Sequence, residues 1–190
     1  SWTLQYTNQE AAGSFGSIAF WDERRGLLLG DQVGGRLTIL RTGDGGSNWT
    51  RVPADKQPQS PPGECVFSES GTSIALPSLR KASSKKAWIG TGGSISRIMA
   101  SADGGKSWKA YGVPVGDDAE SSGVFSLSTL DGLRGFAVGG DDSDPDGAGV
   151  HFARSEDGGI TWRAPSRKVS ASPSGFRSCV IADPTAKQRV

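Results

Sequence analysis

An all-β fold is predicted for this chain by its composition and by two kinds of repeat. Glycine contributes 28 of the 190 residues and proline 10, while charged residues make up only 22%. Such a composition is typical of many short strands joined by turns rather than of helices or disorder. A polar motif and a short apolar segment each recur three times, which indicates a chain built from repeated units.

The polar motif has the form Ser/Thr-x-Asp-Gly-Gly-x-Ser/Thr-Trp. It occurs at residues 101–108 and 155–162, and at 42–49 with Asn48 in the seventh place. Asp-Gly supplies the positive φ angle of a tight turn between strands, and the carboxylate can accept hydrogen bonds from N–H groups of the turn. The tryptophan then enters the next strand and buries its ring. We therefore expect structural roles, in equivalent places, for Asp44, Asp103, Asp157, Trp49, Trp108 and Trp162.

The apolar segments lie shortly before the motifs, at residues 27–30, 87–90 and 136–139, and each ends on glycine. Each is predicted to be a short buried strand ending on glycine, and the recurrence of these segments before the motifs confirms the phase of the repeat. Further strands are expected before and after each pair, which gives four strands for each repeat. The first strand of the second repeat has two candidate positions, residues 65–70 and residues 72–76.

The polar motif resembles the Asp-box, or BNR repeat, which in known examples joins the third and fourth strands of a β-propeller blade. The resemblance implies a propeller segment of four-stranded antiparallel blades, with about three full blades plus two part-blades. We expect full blades at residues 9–53, 54–114 and 115–167. Residues 1–8, with Trp2, would end a preceding blade, and residues 168–190 would start a further blade, so that residues 2–7 and 176–181 should be strands.

Longer segments are similar to bacterial Asp-box propellers related to photosystem II stability/assembly factors. They lie at residues 18–26, 35–41, 90–93, 123–127 and 175–179. Plant and cyanobacterial members help to assemble photosystem II by binding a newly made reaction-centre subunit. The resemblance implies a non-enzymatic binding or assembly scaffold and a periplasmic or extracellular setting. Because a part-ring leaves blade faces open, we also expect missing chain or self-association through those faces.

A partner, most simply a protein segment, would bind over the propeller funnel, because loops before the inner strands border that funnel. These loops carry aromatic and charged side chains, a composition that suits binding. The residues predicted to contact the partner are Phe15, Glu64, Phe125, Phe176 and Arg177.

A carbohydrate-active hydrolase with its site partly in other blades is the alternative. A glycosidase needs two carboxylates facing one sugar, and Glu64, Asp22 and Asp31 are candidates by position. The tyrosines, Tyr6 and Tyr111, each follow a motif tryptophan on an expected outer strand, so neither is placed as a sialidase nucleophile. With His151 as the sole histidine, a nucleophilic triad or a zinc site is not favoured.

Asp142, Asp144 and Asp146 form the start of a calcium-loop pattern, Asp-x-Asp-x-Asp-Gly. The later ligand positions hold Val150 and Ala153, so we expect weak calcium binding at most and no other cofactor.

The remaining charge and cysteine patterns favour structural roles. The net charge is +1 and no apolar run approaches a membrane span, so neither nucleic acid nor a spanning segment is expected. Basic clusters at residues 24–25 and 81–86 are interpreted as solvated loop charge. Cys65 and Cys179 are expected to be small buried side chains, with a disulfide between them left open.

Overall fold

The computed structural model describes residues 3–10, 13–68, 70–77, 84–165 and 174–183. These residues form three antiparallel sheets and one short 3-10 turn, Ala54–Lys56. The sheets are β-propeller blades, as the sequence predicts, and they pack face to face in chain order.

Blade one is a four-stranded meander in which each strand pairs with the next along the chain. Gly34 and Gly35 form the turn between its second and third strands with φ angles of 62° and 72°, which suit glycine and match the twist of a hairpin. Its strands are β1 (Phe15–Phe20), β2 (Gly26–Val33), β3 (Arg36–Thr42) and β4 (Thr50–Arg51).

Blade two has the strand order β6-β7-β9-β10, from inner to outer edge. Residues 64–112 contain β5 (Glu64–Cys65), β6 (Ile74–Ala75), β7 (Ala87–Gly90), β8 (Gly92–Gly93), β9 (Arg97–Ser101) and β10 (Lys109–Gly112), of which β5 and β8 belong to the sheet of blade three. The inner strand therefore falls within residues 72–76, and the placement at residues 65–70 is wrong. β5 instead pairs with β8, which in turn pairs with blade three, because the chain changes sheets at Thr91.

Blade three contains β11 (Ser122–Thr129), β12 (Gly135–Asp141) and β13 (Phe152–Ser155). Its outer edge is a single bridge between Arg154 and Arg163.

Strand register shows which residues of the three apolar segments are equivalent. Gly26 pairs with Thr42, Ala87 with Ser101, and Gly135 with Ser155, and these three partners all begin a polar motif. Leu27, Trp88 and Phe136 are therefore equivalent residues. Gly90 is therefore not equivalent to Gly30 and Gly139, because Thr91 occupies that place in blade two.

Two apolar clusters fill the spaces between the blades. Trp108 lies in the cluster between blades one and two with Leu27 and Ile89, and Trp162 lies in the cluster between blades two and three with Trp88. Trp49 lies in neither cluster. It is only half-buried and contacts Phe20 edge-on, since no described sheet packs against its side of blade one.

The two end segments form no strand among the described residues, which differs from the prediction for residues 2–7 and 176–181. Ser1 and Trp2 lie outside the described residues. Tyr6 packs edge-on against Phe15. Residues 174–183 run alongside β11, the inner strand of blade three. The hydroxyls of Ser126 and Ser128 there accept hydrogen bonds from the segment, in place of the backbone carbonyls of a regular strand pair.

Candidate functional site

The three Asp-Gly-Gly turns share one hydrogen-bond pattern. In blade two, the Ser101 hydroxyl donates to Asp103 Oδ1 at 2.9 Å, and the N–H groups of Lys106 and Ser107 donate to the same oxygen at 2.9 and 3.0 Å. The Ser107 hydroxyl donates to Oδ2 at 2.6 Å. Asp44 and Asp157 bind the corresponding groups in blades one and three. Both carboxylate oxygens of Asp103 are therefore occupied within its own turn, which suits a structural role.

These hydrogen bonds lower the pKa of the turn aspartates. The side chain of Asn48 and then its backbone N–H hold the pKa of Asp44 at about 2. Burial acts to raise the pKa of Asp103, but the hydroxyl and N–H of Ser107 outweigh it and bring the pKa to about 2. The pKa of Asp157 is lowered by similar donors from Thr161, against the opposing effect of burial.

Acid is expected to destabilise the blades through these turns. A carboxylate whose pKa is depressed in the folded state stabilises the fold above its ordinary value, and that contribution is lost as the pH falls through the folded value. The window therefore runs from 3.8 down to about 2 for Asp44 and Asp103. Thermal unfolding across this range should show a falling melting temperature, with a shallower fall for Asp103→Asn. Identical slopes for the variant and the parent would contradict this assignment.

Each turn is also tied to its neighbours through its first glycine. The N–H groups of Gly45, Gly104 and Gly158 all donate at 2.8 Å to the connection between the first two blade strands, at Arg24, Lys85 and Leu133. The Gly104 carbonyl accepts from Arg41 Nε of blade one at 2.8 Å, and the Gly158 carbonyl accepts from Trp88 Nε1 of blade two at 2.9 Å. The turns thus join successive blades.

The predicted partner-binding residues lie toward the opposite end of the blades from these turns, and the structure brings only some of them together. Phe125 is buried, stacked on Phe67 at 3.9 Å between ring centroids, and met edge-on by Phe176 at 4.6 Å. Phe176 is half-buried and Arg177 is exposed. Phe15 is half-buried and contacts Tyr6 rather than these rings.

Glu64 is not a surface charge. Its carboxylate is fully buried and makes two contacts with the guanidinium of Arg97, at 2.9 and 2.6 Å. The Thr91 hydroxyl donates to the same carboxylate at 2.8 Å. The expectation that Glu64 is exposed for a partner is wrong, because an ion pair inside the chain satisfies the buried charge.

The sequence did not indicate Phe67, which stacks on Phe125, or Arg97, which pairs with Glu64. Arg97 opens a short, largely buried strand, and its ion-pair partner is 33 positions away. Phe67 lies in the segment that was a rival position for the inner strand of blade two. No local pattern in the sequence marks either contact.

The acidic segment before His151 does not gather its carboxylates. The described residues include Asp142, Asp144 and Asp146. Among them, no group of three histidine, cysteine, aspartate or glutamate side chains is arranged to hold a metal ion. His151 is buried, and its Nε2 lies 3.0 Å from the Gly147 carbonyl oxygen, so the ring closes this turn from inside. Calcium binding therefore stays a prediction made from the sequence.

The three carboxylates considered for a hydrolase are held in separate local networks. Asp22 accepts hydrogen bonds from the N–H groups of Arg24 and Arg25 and forms an ion pair with Arg25 at 2.7 Å. Asp31 accepts from Ser14, and Glu64 binds Arg97. Each of these three carboxylates is thus engaged by donors of its own.

The two cysteines differ from their predicted burial. Cys65 is half-buried and Cys179 is exposed, so the expectation of two buried side chains is wrong, and no disulfide joins them. Within the described residues, no helix has the length and apolar character required to cross a membrane.

Comparison with known proteins supports the fold. No family model matches the chain, and no curated protein matches it. A GH74 enzyme from Niastella koreensis is 18% identical with a TM-score of 0.53, over 80% of this chain and 22% of that chain. At this identity the likeness shows the β-propeller fold alone.

Two structures of YCF48 are also similar to this chain, with lower TM-scores. YCF48 bound to D1 peptide is 19% identical with a TM-score of 0.49, over 80% of this chain and 39% of that chain. YCF48 from Cyanidioschyzon merolae is 20% identical with a TM-score of 0.47, over 82% of this chain and 38% of that chain. The chain thus spans about two fifths of YCF48 and about one fifth of the GH74 enzyme.

Proposed function

We propose that this chain is a non-enzymatic binding scaffold of the assembly-factor type, which binds an extended protein segment along residues 176–181. The observation that carries this proposal is the exposed side of that segment. Arg177 and Ile181 are exposed there, and Phe176 lies at the edge of the stacked rings. A guanidinium, an aliphatic side chain and an aromatic edge together suit a peptide-binding surface.

Backbone hydrogen bonds give the segment one inward side and one outward side. The N–H groups of Val180 and Ala182 donate to the hydroxyls of Ser126 and Ser128 at 3.0 and 2.9 Å. Within the described part of the chain, the N–H groups of Cys179 and Ile181, which alternate with these two, donate no hydrogen bond. An added strand can pair with such an outward edge, and main-chain bonds then supply affinity while side chains supply specificity.

Charge at this surface favours an acidic or carboxylate-bearing segment. The guanidinium of Arg177 donates to the Phe176 carbonyl at 2.7 Å, and no described carboxylate lies within ion-pair distance of it. The hydrolase alternative is less supported, because Asp22, Asp31 and Glu64 are engaged in separate structural contacts.

The cellular setting and self-association remain proposals. We propose a periplasmic or extracellular protein, as the resemblance to assembly-factor propellers implies. Self-association would use the face of blade one on which Ile18 and Phe20 are exposed and Trp49 is half-buried.

Peptide selection followed by affinity measurement tests the function. Peptides selected from a random display library by the parent protein are expected to bind Arg177→Glu at least about tenfold more weakly, because like charges placed opposite each other across an interface repel. Arg163→Glu makes the same charge change at another exposed arginine and is expected to keep parental affinity. A panel of glycosides should show no turnover.

Two results would overturn the proposal. One is equal loss of affinity in the Arg177→Glu and Arg163→Glu variants, which would indicate a general charge effect. The other is hydrolysis of a glycoside that is abolished by changing a single carboxylate.

A further inference from the structure

Basic side chains from distant parts of the sequence are brought together by the packing of blades one and two. They line a pocket of about 540 Å³, which we call the basic recess. Its charged and aromatic lining residues are Trp21, Arg25, Arg41, Lys85, Asp103 and Lys106. None of these residues belongs to the surface at residues 176–181.

Three hydrogen bonds, two between the blades and one within blade two, fix the walls of the basic recess. Trp21 Nε1 of blade one donates to the Lys86 carbonyl at 2.8 Å, and this holds the connection that carries Lys85. The Gly104 N–H donates to the Lys85 carbonyl at 2.8 Å, and Arg41 Nε donates to the Gly104 carbonyl at 2.8 Å. The cations therefore project from a rigid framework rather than from two independent loops.

Charge in the basic recess is unbalanced, although the whole chain has a net charge of only +1. Four cationic side chains of the described residues line it, two from each blade, together with one carboxylate, that of Asp103. That carboxylate accepts hydrogen bonds from Ser101 and Ser107, which hold it within its turn. Among the described residues, no ion pair is formed by Arg41, Lys85 or Lys106, whereas Arg25 is paired with Asp22 at 2.7 Å.

The cationic side chains of the basic recess are accessible to a ligand. Lys85 and Lys106 are exposed, and Arg25 and Arg41 are half-buried. The two lysines can reposition their ammonium groups on flexible side chains, while the arginines offer planar donors in a fixed place. This combination suits a ligand that carries several anionic groups rather than a single small ion.

We propose that the basic recess binds an acidic peptide segment, with aspartate or glutamate carboxylates distributed over the cations of both blades. Carboxylates on successive side chains can reach separate cations across a recess of this volume. Arginine is also suited to two-point contact with a carboxylate.

Nucleic acid is a poorer fit to the same charges. Single-stranded nucleic acids stack their bases on exposed aromatic rings. Trp21, the aromatic residue of the basic recess, is half-buried and is held by its bond to the Lys86 carbonyl. It therefore serves as part of the wall.

A labelled hexaglutamate peptide provides the test. Fluorescence anisotropy should show binding to the parent protein that weakens with rising salt, as expected for exposed charges. The double variant Lys85→Glu/Lys106→Glu is expected to bind at least about tenfold more weakly. The matched control Lys56→Glu/Lys109→Glu makes the same charge change at exposed lysines outside the basic recess and should bind within about twofold of the parent.

Three further measurements distinguish the basic recess from the surface at residues 176–181 and from a general anion site. The Arg177→Glu variant should bind hexaglutamate like the parent, so failure of the site at residues 176–181 leaves this proposal standing. The proposal is overturned if the parent does not bind hexaglutamate at low salt, or if both double variants lose affinity equally. It is also overturned if inorganic phosphate alone, or an oligothymidylate of similar charge, binds the basic recess more tightly than the peptide.

Discussion

Replacing Trp108 with alanine is expected to lower the free energy of unfolding by about 3–5 kcal/mol, the usual cost of emptying a well-packed aromatic site. The ring is 5% exposed and fills the space between blades one and two. Its Nε1 donates to the Gly105 carbonyl at 3.1 Å, so the substitution also leaves a buried carbonyl with one donor fewer. Urea unfolding followed by circular dichroism measures the change.

Trp49→Ala is the matched control, because Trp49 holds the same motif position in blade one. It is half-buried and contacts Phe20 on a face that no described blade covers. We expect this change to cost only about 1 kcal/mol. Equal costs for Trp49→Ala and Trp108→Ala would contradict the view that packing between blades, rather than the turn itself, makes these rings important.

Arg97→Met is expected to cost about 3–5 kcal/mol, because it would leave the fully buried Glu64 carboxylate without its counter-ion. Arg134→Met removes an ion pair with Asp131 in which the arginine side chain is 46% exposed, and it should cost about 0–1 kcal/mol. The same urea unfolding measurement applies to both variants.

A second substitution at Glu64 sharpens this test. If the cost arises from an unpaired buried charge, the double variant Glu64→Leu/Arg97→Met should recover part of the lost stability, since apolar residues can replace a buried pair. A double variant less stable than Arg97→Met alone would show that the carboxylate contributes mainly through its bond from Thr91.

The fold could be predicted because its strongest signals are local. The Asp-Gly-Gly turns depend on residues within eight positions of one another, so the sequence contains the whole pattern. The inner strand of blade two could not be placed in the same way. Ile74 and Ala75 form only two residues of strand, and the segment around Cys65 has an equally apolar pattern but pairs with Gly92.

The candidate site was harder to predict, because its contacts join distant parts of the chain. The sequence indicates Phe125 and Phe176 as aromatic residues near inner strands, but it does not indicate their partner Phe67. Glu64 is expected at the surface because charges are rarely buried alone. Its partner, Arg97, lies in another strand, and sequence patterns do not report such pairing.

The basic recess could not be predicted from the sequence for the same reason, because its residues come from distant parts of the chain. The basic clusters at residues 24–25 and 81–86 each resemble ordinary loop charge in the sequence. The structure brings Arg25 and Lys85 to one pocket, beside the bond from Trp21 to the Lys86 carbonyl, a contact across 65 positions.

The side-chain bonds that the turns of blades two and three accept from the preceding blade have a direction. Arg41 of blade one donates to the turn of blade two, and Trp88 of blade two donates to the turn of blade three. During synthesis on the ribosome, the donor side of each junction therefore emerges before the turn that accepts from it. Each new blade can dock onto one that is already folded, and the growing chain need not wait for later blades in order to order its turns.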